Sequence, residues 1–185
     1  LANSTIFKSK VTGFEKLEIT NDLTGDAKVN VGNLGYNYVI TNAIATHDLT
    51  LDNMANNGTV ELNDAAATAE DVVVLVKDAA TGLTDVLNVV LKTTAPNENA
   101  GTLTVANVET INISTVELDS KNLDSATDLK LVATAAKTVT VTGDADLVLD
   151  MAGNAAATLI DASTLTGDLK VTSYNTTTSA TIKGG

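Results

Sequence analysis

From Lys137 onward, apolar side chains alternate with Thr or charged ones in short runs: KTVTVTG, DLVLDMAG, ATLIDAS, GDLKVTS and SATIKGG. Each run is closed by Gly, Ala, Asp or Ser. Alternation sends successive side chains to opposite faces, so each run predicts a half-buried strand rather than a helix. The apolar centres fall at Val141, Leu149, Ile160, Val171 and Ile182, and the steps from 160 to 171 to 182 are equal. A constant step implies stacked copies of one unit. Val139, Val141, Leu147, Leu149, Ile160, Leu169, Val171 and Ile182 are therefore expected to point inward and stack on their equivalents.

The same pattern runs through the rest of the chain. Residues 1–13 read as a lead-in. FEKLEIT (Phe14 to Thr20) offers Phe14, Leu17 and Ile19 as inward residues, and DLTGD (Asp22 to Asp26) is a turn. AKVNVGN and YNYVIT follow, with Val29, Val31, Tyr38 and Ile40 as apolar positions. HDLTLDN (His47 to Asn53) and GTVELND (Gly58 to Asp64) repeat it around a Met-Ala-Asn-Asn-Gly turn. AAATAEDVVVLVKDAA suits a helix at its Ala-rich start, with Asp64 as N-cap. Val72 to Val76 is β-branched and predicts a buried strand. DVLNVVLK (Asp85 to Lys92) is another strand. TTAPNENAG (Thr93 to Gly101) holds the single Pro, and it predicts a loop and a sub-boundary within one segment spanning 1–185. GTLTVAN, VETINIST and TVELDSKN are further strands. Ser120 to Ala136 fits either a short helix or the strand template.

Roughly fifteen short strands at intervals near ten residues indicate an all-β chain. The favoured architecture is a parallel β-solenoid or β-helix of short Thr/Val/Ala-rich strands, with Asp, Asn, Gly and Ser at its corners. The alternative is a β-sandwich of antiparallel hairpins.

Composition narrows the partners. Aromatics make up only 3%, so the core must consist of Val, Leu, Ile and Ala in thin layers. The chain has no Cys, so burial, backbone bonding or metal must hold it. A net charge of −12 with a pI near 4.2 argues against nucleic acid and fits an extracellular or cation-binding surface. Arg, which clamps phosphates and carboxylates in pairs of hydrogen bonds, is absent. The start, LANSTIFKSK, has no apolar core of a signal peptide, and no run is long enough to span a membrane. The missing initial Met and the closing IKGG read as marks of a piece cut from a longer protein.

VETINIST (Val108 to Thr115), LIDASTLTGDLKVTS (Leu159 to Ser173) and SATIKGG (Ser179 to Gly185), with GFEKLEIT and DVLNVVLK, carry a resemblance. Together they resemble the β-strand-repeat regions of surface-layer proteins of Gram-negative bacteria, of the Campylobacter and Caulobacter kind. Those proteins are similar to RTX proteins exported by type I secretion. The resemblance implies a parallel solenoid at the bacterial cell surface, calcium as cofactor and self-assembly into a lattice. Any contact with cell-surface polysaccharide would then run through regions outside this segment. The GGxGxDxUx nonapeptide is not intact. TGLTDVLNV places Asp85 and Leu87 at its acidic and apolar positions, but Thr81 and Leu83 stand where glycines belong.

Calcium needs several converging hard oxygens. The candidates are Asp144, Asp146 and Asp150; Asp161 and Asp168; Asp22 and Asp26; and Asp48 and Asp52. Against this stands the use of Asp to cap turns through its own backbone. His47 is the single histidine, so a triad or zinc site would have to use it. Tyr36, Tyr38 and Tyr174 are the only tyrosines, too few for the aromatic platforms of a sugar-cleaving groove. Asn3, Asn57, Asn112 and Asn175 match the glycosylation pattern, as chance alone allows in so Asn- and Thr-rich a chain. The reading is a non-catalytic structural segment of a secreted surface-layer protein. The alternative is a stalk or ligand-binding module of a large RTX adhesin.

Overall fold

The computed structural model describes residues 9–20, 23–42, 47–63, 71–94, 98–118, 126–172 and 179–185. The first strands are β1 (Leu17–Ile19), β2 (Ala27–Asn30), β3 (Tyr38–Thr41), β4 (Leu49–Met54) and β5 (Gly58–Leu62). The middle of the chain forms β6 (Asp71–Val76), β7 (Val86–Thr93), β8 (Glu98–Val105), β9 (Thr110–Glu117) and β10 (Ala126–Val132). Last come β11 (Thr138–Gly143), β12 (Asp146–Asp150), β13 (Leu159–Leu165), β14 (Leu169–Thr172) and β15 (Thr181–Lys183). One helical turn, α1 (Val31–Leu34), follows β2.

The eight odd-numbered strands form one sheet in chain order, and the seven even-numbered strands form the other. Every pairing among the described residues is parallel. The chain is therefore a parallel β-solenoid in which each coil lays one strand in each sheet. The sandwich alternative falls, since it needs antiparallel hairpins. Ile160 pairs with Ile182, so one coil there takes 22 residues. The step of eleven from 160 to 171 is half a coil: Val171 lies in β14, in the opposite sheet. Coils on the eight-stranded side range from 21 residues (Tyr38 to Thr59) to 29 (Gly58 to Leu87).

Alternation explains the core. In β7 every second residue is buried, and Leu87 stacks on Ile111, Val139 and Ile160 in the next three coils. Leu49, Val72, Leu103 and Leu131 make the matching column across the interior. Aliphatic side chains suit this geometry, because strands about 4.8 Å apart in sheets about 10 Å apart leave little room for rings. Val139, Val141, Leu147, Leu149 and Ile160 are at most 1% exposed. Leu169 and Val171 pack half-buried against the core, while Ile182 is 51% exposed on the outermost described strand.

The structure corrects several assignments. Phe14 is 65% exposed, because β1 begins three residues later at Leu17. In β3 the inward residues are Val39 and Thr41, with Tyr38 and Ile40 on the outer face. Val31 leaves the strand pattern: the Asn30 side chain accepts the Asn33 N–H at 2.8 Å and starts α1, which Gly35 ends in the left-handed region. Val72 to Val76 is buried on one face only, since Val73 and Leu75 point outward. Glu98 to Gly101, expected in a loop, belong to β8. Of the stretch Ser120 to Ala136, Ala126–Val132 follow the strand template, as β10, and its first six residues lie outside the described ones. The helix expected after Asp64 lies outside the described residues.

At Gly143 the corner demands glycine. Its φ is +122°, and a β-carbon there would run into the Thr115 backbone. A register shift between β11 and β13 falls just before it, between Thr140 and Thr142. Among the described residues no helix is long and apolar enough to cross a membrane.

Candidate functional site

Aspartates line one corner of the solenoid, ahead of the even-numbered strands. Asp26 Oδ1 accepts the Asp48 N–H at 3.3 Å, and Asp48 Oδ1 accepts the Asp71 N–H at 3.2 Å. Further along, Asp146 Oδ1 accepts the Asp168 N–H at 2.7 Å. Each carboxylate thus ties its coil to the next, where the corner would otherwise leave a donor unpaired. The residues behind this column recur as an Asp followed by alternating apolar residues: DAKV, DLTL, DVVV, DLVL and DLKV.

Of the calcium candidates Asp144, Asp146, Asp150, Asp161 and Asp168, the structure brings only Asp146 and Asp168 side by side. Asp146 and Asp168 line a shallow depression of about 360 Å³ on the outer face of the seven-stranded sheet, with Lys170 beside them. Asp150 lines the adjoining depression of about 320 Å³ with Asn99, Asp128 and Lys130. The two depressions meet at Val148 and form one open groove over β8, β10, β12 and β14. Asp144 lies at the corner after β11 and accepts the Glu117 N–H at 2.9 Å. Asp161 sits on the other sheet, where it accepts from Ser163 N and Oγ and from Lys183 Nζ at 2.9 Å. The Ser163 hydroxyl, then Lys183 and the Ser163 N–H, hold its carboxyl down at about 2. Asp52 is met by Asn30 and Lys28, and Asp22 lies outside the described residues. Among the described residues no group of three or more His, Cys, Asp or Glu is placed to hold a metal ion. His47 precedes β4, half-buried.

The eight-stranded sheet carries a cluster that the sequence did not reveal. The Glu61 side chain is 1% exposed, although it stands on the outer face. It accepts from Tyr38 Oη at 2.6 Å, Lys92 Nζ at 2.6 Å and Asn63 Nδ2 at 2.7 Å. Lys16 lies 4.0 Å from the centre of the Tyr38 ring. Burial pushes the Glu61 carboxyl up, but the bonds from Lys92, Tyr38 and Asn63 outweigh it and hold the group below the usual carboxylate range. Burial and then Glu61 itself push the Tyr38 phenol up to about 12. Beside this cluster, Asn112 donates to Asn88 and Asn88 to Asn57, an amide ladder across three coils. Its partners are separated by 24 and 31 residues, so only the coil register reveals it.

The cluster fixes a pH dependence. Glu61 titrates lower folded than unfolded, so its contribution is present above the unfolded carboxylate value and lost as pH falls through the folded one. Tyr38 titrates higher folded, so its contribution is complete below about 10 and lost as pH rises towards 12. Glu61→Gln is expected to melt below wild type at pH 7, with the gap closing below about pH 4. Melting curves at stepped pH check this, and a gap that stays constant down to pH 2.5 would refute it.

Chemically, the groove offers four aspartates against two lysines on an open face. No protein-family model, no curated protein and no solved structure matches the chain.

Proposed function

We propose that the chain is a structural, non-catalytic segment of a secreted bacterial surface-layer protein of the RTX-exported kind. In this reading it assembles with its own copies outside the cell into a calcium-dependent lattice. The observation that supports it best is the architecture: two unbroken parallel sheets over an aliphatic interior, with mostly polar side chains on the outer faces. Such a stack supplies rigid, repetitive surface, and its chemistry lies outside. The charge of −12 supports a role for cations, because like-charged subunits repel until a divalent ion screens or bridges them. The open aspartate groove suits a bridge between molecules better than an enclosed site.

The test uses the full-length protein. Negative-stain microscopy and light scattering should find ordered sheets in millimolar calcium that dissolve on chelation. A full-length protein that stays monomeric in calcium, but binds a host glycan or a partner cell, would replace this reading with that of an RTX adhesin stalk or binding module.

A further inference from the structure

Lys92, Glu61 and Asn63 meet on the outer face of the eight-stranded sheet in an arrangement that allows a reaction. Lys92 Nζ and Asn63 Nδ2 both donate to the same oxygen, Glu61 Oε1, at 2.6 and 2.7 Å. An amine and a carboxamide are thus joined through one carboxylate oxygen. The coil register puts them there. Leu62 pairs with Leu91, so Asn63 and Lys92, each one residue further on, are neighbours across β5 and β7. Each follows a leucine of the core, which sends its own side chain to the outer face with Glu61.

Two further observations separate this trio from an ordinary surface ion pair. The Glu61 side chain is 1% exposed, with Ile40 and Val90 beside it in register on the adjoining strands. The Asn63 carbonyl oxygen, Oδ1, is buried without a hydrogen-bond partner among the described residues. As a structural feature alone, an unpaired buried carbonyl is costly. As part of an electrophile it is useful, because charge develops on that oxygen when its carbon is attacked. The chain has no Cys, so a covalent staple between coils has to come from other side chains.

We propose that Lys92 Nζ condenses with the side-chain amide of Asn63, with Glu61 as the acid–base group, and so joins β5 to β7 by an isopeptide bond. Ionised Glu61 takes a proton from the Lys92 ammonium, which frees the lone pair of Nζ. Nζ then bonds to Asn63 Cγ as the carbonyl π pair moves onto Oδ1. The proton held by Glu61 passes to Nδ2, the pair returns from Oδ1, and the Cγ–Nδ2 bond breaks. The departing ammonia takes the surplus proton from Nζ and leaves as ammonium, with Glu61 ionised again. Nothing is oxidised or reduced, and no co-reactant is needed. Burial raises the Glu61 carboxyl, but the bonds from Lys92, Tyr38 and Asn63 outweigh it, so the resting state is the ion pair. The cross-link has to form only once per molecule, so a rare neutral pair is enough.

Intact-mass spectrometry of the denatured chain tests it, and the result does not depend on the assembly reading. Wild type should be lighter than its sequence by one ammonia. Trypsin should leave residues 29–77 joined to residues 78–121, uncut after Lys92. Lys92→Arg keeps a cation for Glu61, but its guanidinium stays protonated and cannot attack. That variant should show its full sequence mass and melt below wild type. Asn63→Ala and Glu61→Gln should also show full mass. If Glu61→Gln does not fold, Lys92→Arg carries the test. Wild type at full mass would overturn the proposal. So would a lost ammonia that persists in Lys92→Arg, since an asparagine would then have closed on its own backbone. A cross-linked Glu61→Gln protein would overturn the acid–base role of Glu61.

Discussion

Val141→Asp is expected to leave the chain without a cooperative unfolding transition. Val141 is 0% exposed in β11, on the inner face, with Ile113 of the neighbouring coil beside it in register. An aspartate there has no donor to meet. Placing an unpaired charge between two dry sheets costs several kcal/mol. A typical domain has only about 5–15 kcal/mol in total. The damage also spreads, because each coil of a solenoid is stabilised chiefly by its neighbours. Thr140 supplies the control. It points outward one residue earlier, and it pairs with Asn112, which already donates to Asn88. Thr140→Asn extends that amide column and should change stability by no more than about 0.5 kcal/mol. Circular dichroism melts and urea titration of both variants check the pair. A Val141→Asp protein with the wild-type midpoint would mean that β11 does not face the interior.

That contrast between adjacent residues marks how far alternation alone can be read. Period two assigns Val139, Val141, Leu147, Leu149 and Ile160 to the core, and each is there. Equal spacing implies stacking, but not how many strands share a coil. The recurrence at 160, 171 and 182 visits the two sheets in turn. Alternation also misleads where a segment has apolar residues on both faces. In YVIT the side chains of Tyr38 and Ile40 lie outward and Thr41 is buried, its hydroxyl bonded to the Glu61 carbonyl at 3.3 Å.

The polar sites were less legible for a geometric reason. In a parallel stack the neighbours of a side chain lie one coil away, about 20 to 30 residues along the chain. Asp144, Asp146 and Asp150 look like a cluster because they are near in sequence. In space Asp146 meets Asp168, and Asp144 meets Glu117. Tyr38, Glu61 and Lys92 belong together although 23 and 31 residues separate the bonded pairs. Once the coil length is known, the Asp before each even-numbered strand becomes a readable column. Asp85 stands out in the sequence as the acidic residue of a nonapeptide remnant, but its burial follows from the loop packed over it, with Gly82 against its carboxylate.

Asn154 escaped the sequence altogether, and Asn154→Leu should be the most damaging substitution of a polar residue outside the Glu61 cluster. Asn154 lies in the corner between β12 and β13 and is 0% exposed. Its Nδ2 donates to the Leu131 carbonyl at 2.5 Å, and its Oδ1 accepts the Ala133 N–H at 2.6 Å. One side chain thus does for the corner what a strand residue does for the ladder. Leucine fills the space but strands both backbone groups, at about 1–3 kcal/mol each. Asn154→Asp separates donor from acceptor. The aspartate still accepts from Ala133, but when ionised it faces the Leu131 carbonyl with no proton and carries a buried charge. When protonated it regains a donor. Burial raises such a carboxyl above its unfolded value near 3.9, so its stability is restored as pH falls and lost as pH rises past that value. Relative to wild type at each pH, Asn154→Asp should recover on going from pH 7 to about pH 4, whereas Asn154→Leu should not. Hydrogen exchange at the Ala133 amide should be faster in Asn154→Leu, which removes its acceptor. An Asn154→Leu protein with wild-type unfolding and an unchanged Ala133 amide would show that the corner is held by something other than this carboxamide.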